Sequence, residues 1–300
     1  MSASNRAGAG FMTLAMAFFA IEDAFFKAAT RDLPVGMALL LFGAFGFAGF
    51  AALCLRAGEP VWHPSNLART MLIRSAFELT GRLFYALALA FAPLASTSAI
   101  LQTAPLFVTL GAVIAFGEHV GPRRWVAMAA GFLGVLLIIR PGLGAFEISS
   151  LFALIATIGF AGRDLATRAS SPEMSPHQLG ALGFLVLVVA GLIVLAVEQP
   201  GAVVLKPLAL LSIAAASLVG IAAYSALTHA MRAGDIGFVA PYRYTRLLFA
   251  LLLALVFFGE RPDALVLLGA GIVILAGLYS LARADATGRE AAKSLHSPKP

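Results

Sequence analysis

The chain has 300 residues, of which 60% are hydrophobic and 12% charged, with a mean hydropathy of +0.93 and a net charge of +6. So apolar a composition excludes a soluble globular domain, and the lack of short segments alternating apolar with polar excludes an outer-membrane barrel. The single cysteine, Cys54, excludes an internal disulfide framework and a cysteine metal cluster.

A helix needs roughly 20 apolar residues to cross a hydrocarbon core ~30 Å thick. Ten runs meet that need: 10–30, 34–55, 71–91, 94–117, 124–140, 148–168, 177–197, 209–231, 237–258 and 263–281. We therefore expect an all-α membrane protein with ten transmembrane helices, preceded by a cytoplasmic segment (1–9) and followed by a flexible cytoplasmic tail (283–300). The loops are too short to hold a soluble catalytic domain, so function must lie within the bundle. The first run carries acidic residues and lacks a small-residue cleavage site, so it reads as a retained helix rather than a signal peptide.

That first run, "FFAIEDAFFKAATRD" (18–32), places Glu22, Asp23 and Lys27 among Phe, Ala and Ile. Asp23 and Lys27 are four apart and can face each other. Glu22 points about 100° away from Asp23, so at least one acid must reach another helix or water. In the second run Gly43, Gly46 and Gly49 permit close helix approach. The third, "RTMLIRSAFELTGRLFYALALAF", sets Arg74, Glu78 and Arg82 down one face with Tyr85 beyond them. That face cannot meet lipid. Arg82 either pairs with Glu22 or Asp23 or meets a substrate anion, and both readings stand.

In the fourth run Pro105 lacks an N–H and frees the Leu101 carbonyl. With Gln102 and Thr103 beside it, this stretch either offers hydrogen bonds to a ligand or is a packing kink. Gly131 and Gly134 in the fifth run again suit close packing. Arg163 and Asp164 in the sixth are simplest as mutual charge compensation. The ninth, "FVAPYRYTRLLFALLL", joins Pro241 to Tyr242, Arg243 and Arg246; Arg243 lies within two turns of a helix end and could snorkel, whereas Arg246 lies deeper.

With the N-terminus in the cytoplasm, eleven Lys and Arg fall on cytoplasmic segments and four, Arg31, Arg140, Lys206 and Arg261, on the other side. The positive-inside rule then places both termini in the cytoplasm. This bias accounts for the basic balance, and we expect no nucleic-acid partner.

Gly117-Glu118 closes the fourth run and Gly259-Glu260 the ninth, 142 positions apart. Each pair precedes a short turn and a Gly-rich apolar helix. Two five-helix units follow, 10–146 and 147–282, and an odd number of crossings gives them opposite orientation. Inverted repeats are a transporter architecture, with the site near the midplane.

The block "YALALAFAPLASTSAILQTAPLFVTLGAVIAFGEHVGPRRWVAMAAGFLGVLLIIRPG" (85–142) and its echo at 224–283 closely resemble the EamA domain of the drug/metabolite transporter superfamily. The resemblance covers about residues 10–282. It implies a bacterial inner-membrane carrier of two inverted five-helix EamA repeats around a central cavity. The second copy departs from the pattern, with Gly234-Asp235 for Ala92-Pro93 and Leu247 for Pro105. "LAMAFFAIEDAFFKAATRDLPVG" and "VAPYRYTRLLFA" resemble a branch of short carriers that includes riboflavin importers.

We therefore expect a secondary transporter of a small metabolite, with riboflavin uptake the best specific expectation and export of amino acids or related metabolites or drugs the alternative. No phosphate loop ending in Gly-Lys-Ser/Thr occurs, so direct coupling to ATP is not expected. Neither His-Glu-x-x-His nor Gly-x-Ser-x-Gly is present, which leaves an intramembrane enzyme, like a channel, a remote reading. The expected substrate or coupling residues are Glu22, Asp23, Lys27, Glu78, Arg82, Tyr85, Gln102, Tyr242, Arg243 and Arg246, with no catalytic residue, metal or cofactor. The expected partners are a small-molecule substrate and the lipid bilayer; a homodimer is left open.

Overall fold

The computed structural model describes residues 3–117, 120–140, 148–168, 174–233 and 236–296. Glu118, Gly234 and Asp235, on which parts of the repeat argument rest, lie outside the described residues, as does the end of the chain from 297. The described residues form helices: α1 (Ala3–Ala29), α2 (Val35–Arg56), α3 (Arg69–Phe91), α4 (Leu94–Leu101), α5 (Ala104–Phe116), α6 (Pro122–Ile139), α7 (Ser149–Arg168), α8 (Pro176–Glu198), α9 (Pro207–Ala233), α10 (Ile236–Val239), α11 (Thr245–Phe258) and α12 (Ala264–His296). α4 and α5 are one crossing interrupted at Gln102 and Thr103. α10 and α11 are another, joined by a 3₁₀ stretch at Ala240–Tyr244. Ten crossings result.

Seven segments are long and apolar enough to span a membrane by composition alone; α3, with Arg74, Glu78 and Arg82, is not among them. The apolar parts of α6 and α12 are shorter, Trp125–Ile139 and Ala264–Tyr279. α12 continues to His296.

The packing has the symmetry of an inverted repeat. If α1 corresponds to α7, α2 to α8, α3 to α9, α4–α5 to α10–α11 and α6 to α12, then the α1·α9 and α3·α7 pairs exchange. The α2·α8 and α6·α12 pairs map onto themselves, and these four are the most extensive packings in the molecule. A two-fold axis in the membrane plane produces this pattern.

Small residues set the spacing of the self-mapping pairs. A Cβ added at Gly36 would lie 2.5 Å from Leu195 N, and one at Gly43 would lie 2.6 Å from Val188 N. One added at Gly134 would lie 2.8 Å from Gly269 O. Backbone thus meets backbone, as dispersion-driven packing in lipid favours. Large apolar side chains such as Ile114, Val197, Leu218 and Leu275 stay exposed on the outer surface, where lipid would cover them.

The repeated Gly-Glu turn now has a cause. Gly117 and Gly259 cap α5 and α11 in the left-handed region, at φ 66° and 64°. A Cβ there would cost roughly 1–2 kcal/mol. The α8 start is fixed by a capping box, in which Gln178 N donates to Ser175 Oγ and Ser175 N to Gln178 Oε1.

We call the surface holding the starts of α1 and α3 the N-terminal face and the other the far face. At the far face Glu198 accepts hydrogen bonds from Val35 N and Gly36 N at 3.1 and 2.9 Å. Its counterpart at the N-terminal face is Glu59, which follows α2 and meets Ser175 and His177 at the start of α8. Each carboxylate satisfies N–H or O–H groups at a helix N-terminus, where the backbone dipole favours negative charge.

Candidate functional site

The charged side chains of the spans converge between α1, α3, α7 and α11. Asp23, 2% exposed, accepts at one oxygen from both Arg246 Nη2 (2.6 Å) and the Tyr85 hydroxyl (2.8 Å). Arg246 also donates to the Tyr85 oxygen at 3.2 Å, and its guanidinium lies over the rings of Phe19 and Tyr85. The low dielectric strengthens each of these bonds, and Arg246 Nε is buried with no hydrogen-bond partner among the described residues.

A second group surrounds Glu78. Arg74 is 3.0 Å from its carboxylate, Arg163 3.7 Å and Arg82 3.8 Å. Arg74 Nε also donates to Thr167 Oγ1, and Arg163 pairs with Asp164 at 2.8 Å. Arg82 and Arg163 also each lie over the ring of Phe160. Arg82 links the groups, since its other neighbour is Glu22 at 3.9 Å.

Neighbouring helices leave room for these acids. A Cβ added at Gly183 would lie 3.2 Å from Glu78 Oε1, and one at Gly220 would lie 3.0 Å from Glu22 Oε2. Glu22, Asp23, Arg82 and Tyr85 line a hollow with Phe26, Phe42 and Leu187; its volume is about 20 Å³. That is far below the roughly 300–1,000 Å³ of small-molecule sites, so the side chains are drawn together.

Asp23 and Lys27, which the spacing of four allowed to face each other, take different partners. Asp23 binds Arg246 and Tyr85, while Lys27 Nζ donates to Leu89 O (3.0 Å) and Ala92 O (2.7 Å) at the end of α3. Carbonyls at a helix C-terminus lack internal partners and attract cations. Lys27 also lies 3.8 Å from Glu260, whose two oxygens accept from Leu94 N and Ala95 N at the start of α4. Glu260, read in the sequence only as a repeat marker, thus joins Lys27 at this end of the site.

Of the other expected residues, Gln102 donates its side-chain amide to the Arg243 carbonyl at 3.1 Å, tying the two interrupted crossings together. Thr103 turns inward on its own helix, donating to Ile100 O. Tyr242 stands apart from the charged groups: it packs with Phe238 and lines a surface crevice with Thr13 and Phe249. Arg163 and Phe160 join the interior cluster unforeseen; their position depends on how α7 crosses α3, where Gly159 and Gly81 bring the backbones together.

A model of the EamA-like transporter family matches residues 6–140 and 148–282, two copies that together span most of the chain. The chain belongs to this family. As an EamA-like transporter it is a multi-pass membrane protein and not an enzyme, and a small-molecule substrate and a membrane are its implied partners. It is 28% identical over 281 residues to the riboflavin transporter of Rhizobium johnstonii, covering 91% of this chain and 90% of the relative. It is 26% identical to the pseudopaline exporter of Pseudomonas aeruginosa, covering 93% and 96%. A crystal structure superposes with a TM-score of 0.62 at 20% identity, covering 97% of this chain and 99% of the other, which shows a shared fold.

Proposed function

We propose that this EamA transporter is a secondary carrier of the bacterial inner membrane, with both termini cytoplasmic, that moves a small metabolite by alternating access, with riboflavin uptake as its specific activity. The observation that carries the reading is the buried charged lining, shared by both repeats and bounded at the far face by contacts between them. There Lys27–Glu260, Asp32–Lys206 and Arg140–Asp263 each join one half to the other. Contacts of this kind are what a carrier breaks and remakes as it changes shape. The walls support a planar, polar-edged substrate, since Phe42 and Tyr85 stand beside the charges. The likeness to a riboflavin transporter supports the choice. Export stands as the second reading, favoured by the likeness to a pseudopaline exporter over nearly the whole chain.

Glu22 is proposed as the coupling carboxylate. Among the described residues its nearest counter-charge is Arg82, at 3.9 Å, and it faces the hollow. Asp23 and Glu78 are held by much shorter contacts. A weakly held acid can exchange a proton without dismantling the bundle.

The test is rescue of a riboflavin-auxotrophic bacterium lacking its own importer, at limiting riboflavin, with labelled uptake measured alongside. Rescue with saturable uptake is the expected result. A well-expressed protein that neither rescues nor takes up label would remove riboflavin uptake, and export would then be measured as resistance to toxic amino-acid analogues.

A further inference from the structure

Arg74, Arg82, Arg163 and Arg246 each have a carboxylate within 4 Å, supplied by Glu22, Asp23, Glu78 and Asp164. Arg243 has none among the described residues, and its guanidinium makes no hydrogen bond there; only its backbone carbonyl is engaged, by Gln102. The residue is partly buried. It lies on the 3₁₀ stretch Ala240–Tyr244, which packs against α1, α11 and α12. It stands where the interrupted crossings α4–α5 and α10–α11 are joined. A guanidinium in such a place needs a partner, and five donors in a rigid fork match carboxylate or phosphate. A 3₁₀ stretch within a helix is also a common mark of a functional segment.

We infer that Arg243 is the receptor for an anionic group of the transported solute, a carboxylate, a phosphate or the electron-rich edge of an imide, which supplies the counter-charge that the interior lacks. This rests on the transport reading for the fate of the ligand, though not for its binding. A lipid headgroup phosphate shares the chemistry, so the test separates the two sources.

Full-length protein is placed in phosphatidylcholine nanodiscs and its thermal unfolding followed with and without inorganic phosphate or flavin mononucleotide. Without ligand, Arg243→Gln should unfold at a higher temperature than the wild type, because a partly buried cation without a counter-charge is gone. At least one soluble anion should raise the wild-type midpoint, leave that of Arg243→Gln unmoved and retain part of its effect on Arg243→Lys. A lower ligand-free midpoint for Arg243→Gln would mark the residue as structural and overturn the inference. So would equal anion shifts in both proteins, no shift in either, or a shift caused only by adding phosphatidylglycerol. Counterflow of labelled solute distinguishes the two levels. Undiminished exchange by Arg243→Gln defeats the inference while transport stands, and Arg243-dependent anion binding without exchange of any solute defeats transport alone.

Discussion

Arg246 and Asp23, 223 positions apart in sequence, lie 2.6 Å apart as an ion pair that joins the second repeat to the first. Removing one member leaves the other buried without its charge partner, which in proteins costs about 3–5 kcal/mol. Arg246→Gln and Asp23→Asn should each lower the thermal midpoint in nanodiscs by several degrees. The double variant should lose less than the sum of the two. Strict additivity would show that the pair contributes no coupling.

Glu260 caps α4 and steadies Lys27 at the far face. Losing such a cap costs about 1 kcal/mol, enough to shift an equilibrium between closed and open far faces roughly fivefold. In a Cys54→Ala background, a cysteine at Leu89 should be alkylated from the far side several times faster when Glu260 is Gln. Equal rates would mean that this contact does not hold the face shut.

Glu22→Gln should abolish uptake driven by a pH gradient yet retain counterflow of substrate, because the neutral amide can be carried through the cycle but cannot exchange a proton. Full pH-driven accumulation by this variant would reassign coupling to another group.

Gly36→Ala tests the close contact of α2 with α8, where the new Cβ would sit 2.5 Å from backbone. Overpacking of this kind costs about 1–3 kcal/mol. The expected readout is a lower thermal midpoint, while Gly10→Ala, inside α1 with open space around it, should keep or raise the midpoint.

Asp263 lies outside the spans, where hydrogen bonds from Arg140 and from the N–H groups of Val266 and Leu265 hold its carboxyl below the usual range. A lowered folded value gives stability that is complete above the unfolded pKa of about 3.9 and is lost as pH falls through the folded value. The carboxylate is half exposed, so the effect is small. Wild type should exceed Asp263→Asn in midpoint near pH 7, and the difference should close toward pH 3. A difference that widens in acid would refute the assignment.

The ten crossings, the repeat and the inward charge of α3 were legible because lipid exposure imposes continuous apolarity and makes each interruption conspicuous. The partner of Asp23 was not. Spacing of four on α1 favoured Lys27, but α1 ends beside the C-terminus of α3, whose bare carbonyls take the cation instead. Arg163 read as a local pair with Asp164 and does make that contact. Its reach to Glu78 depends on the glycine crossing of α3 and α7, which no local pattern in either helix specifies.

The Glu260 cap also bears on what half of this molecule could do alone. The carboxylate that completes the start of α4 comes from beyond α11, so residues 10–146 by themselves would leave the Leu94 and Ala95 amide hydrogens without that acceptor. A second copy inserted upside down would bring a turn of the same kind to that end, as the second half does here. The fused chain makes that antiparallel partnership permanent, and a charged lining drawn from both halves is assembled within one molecule.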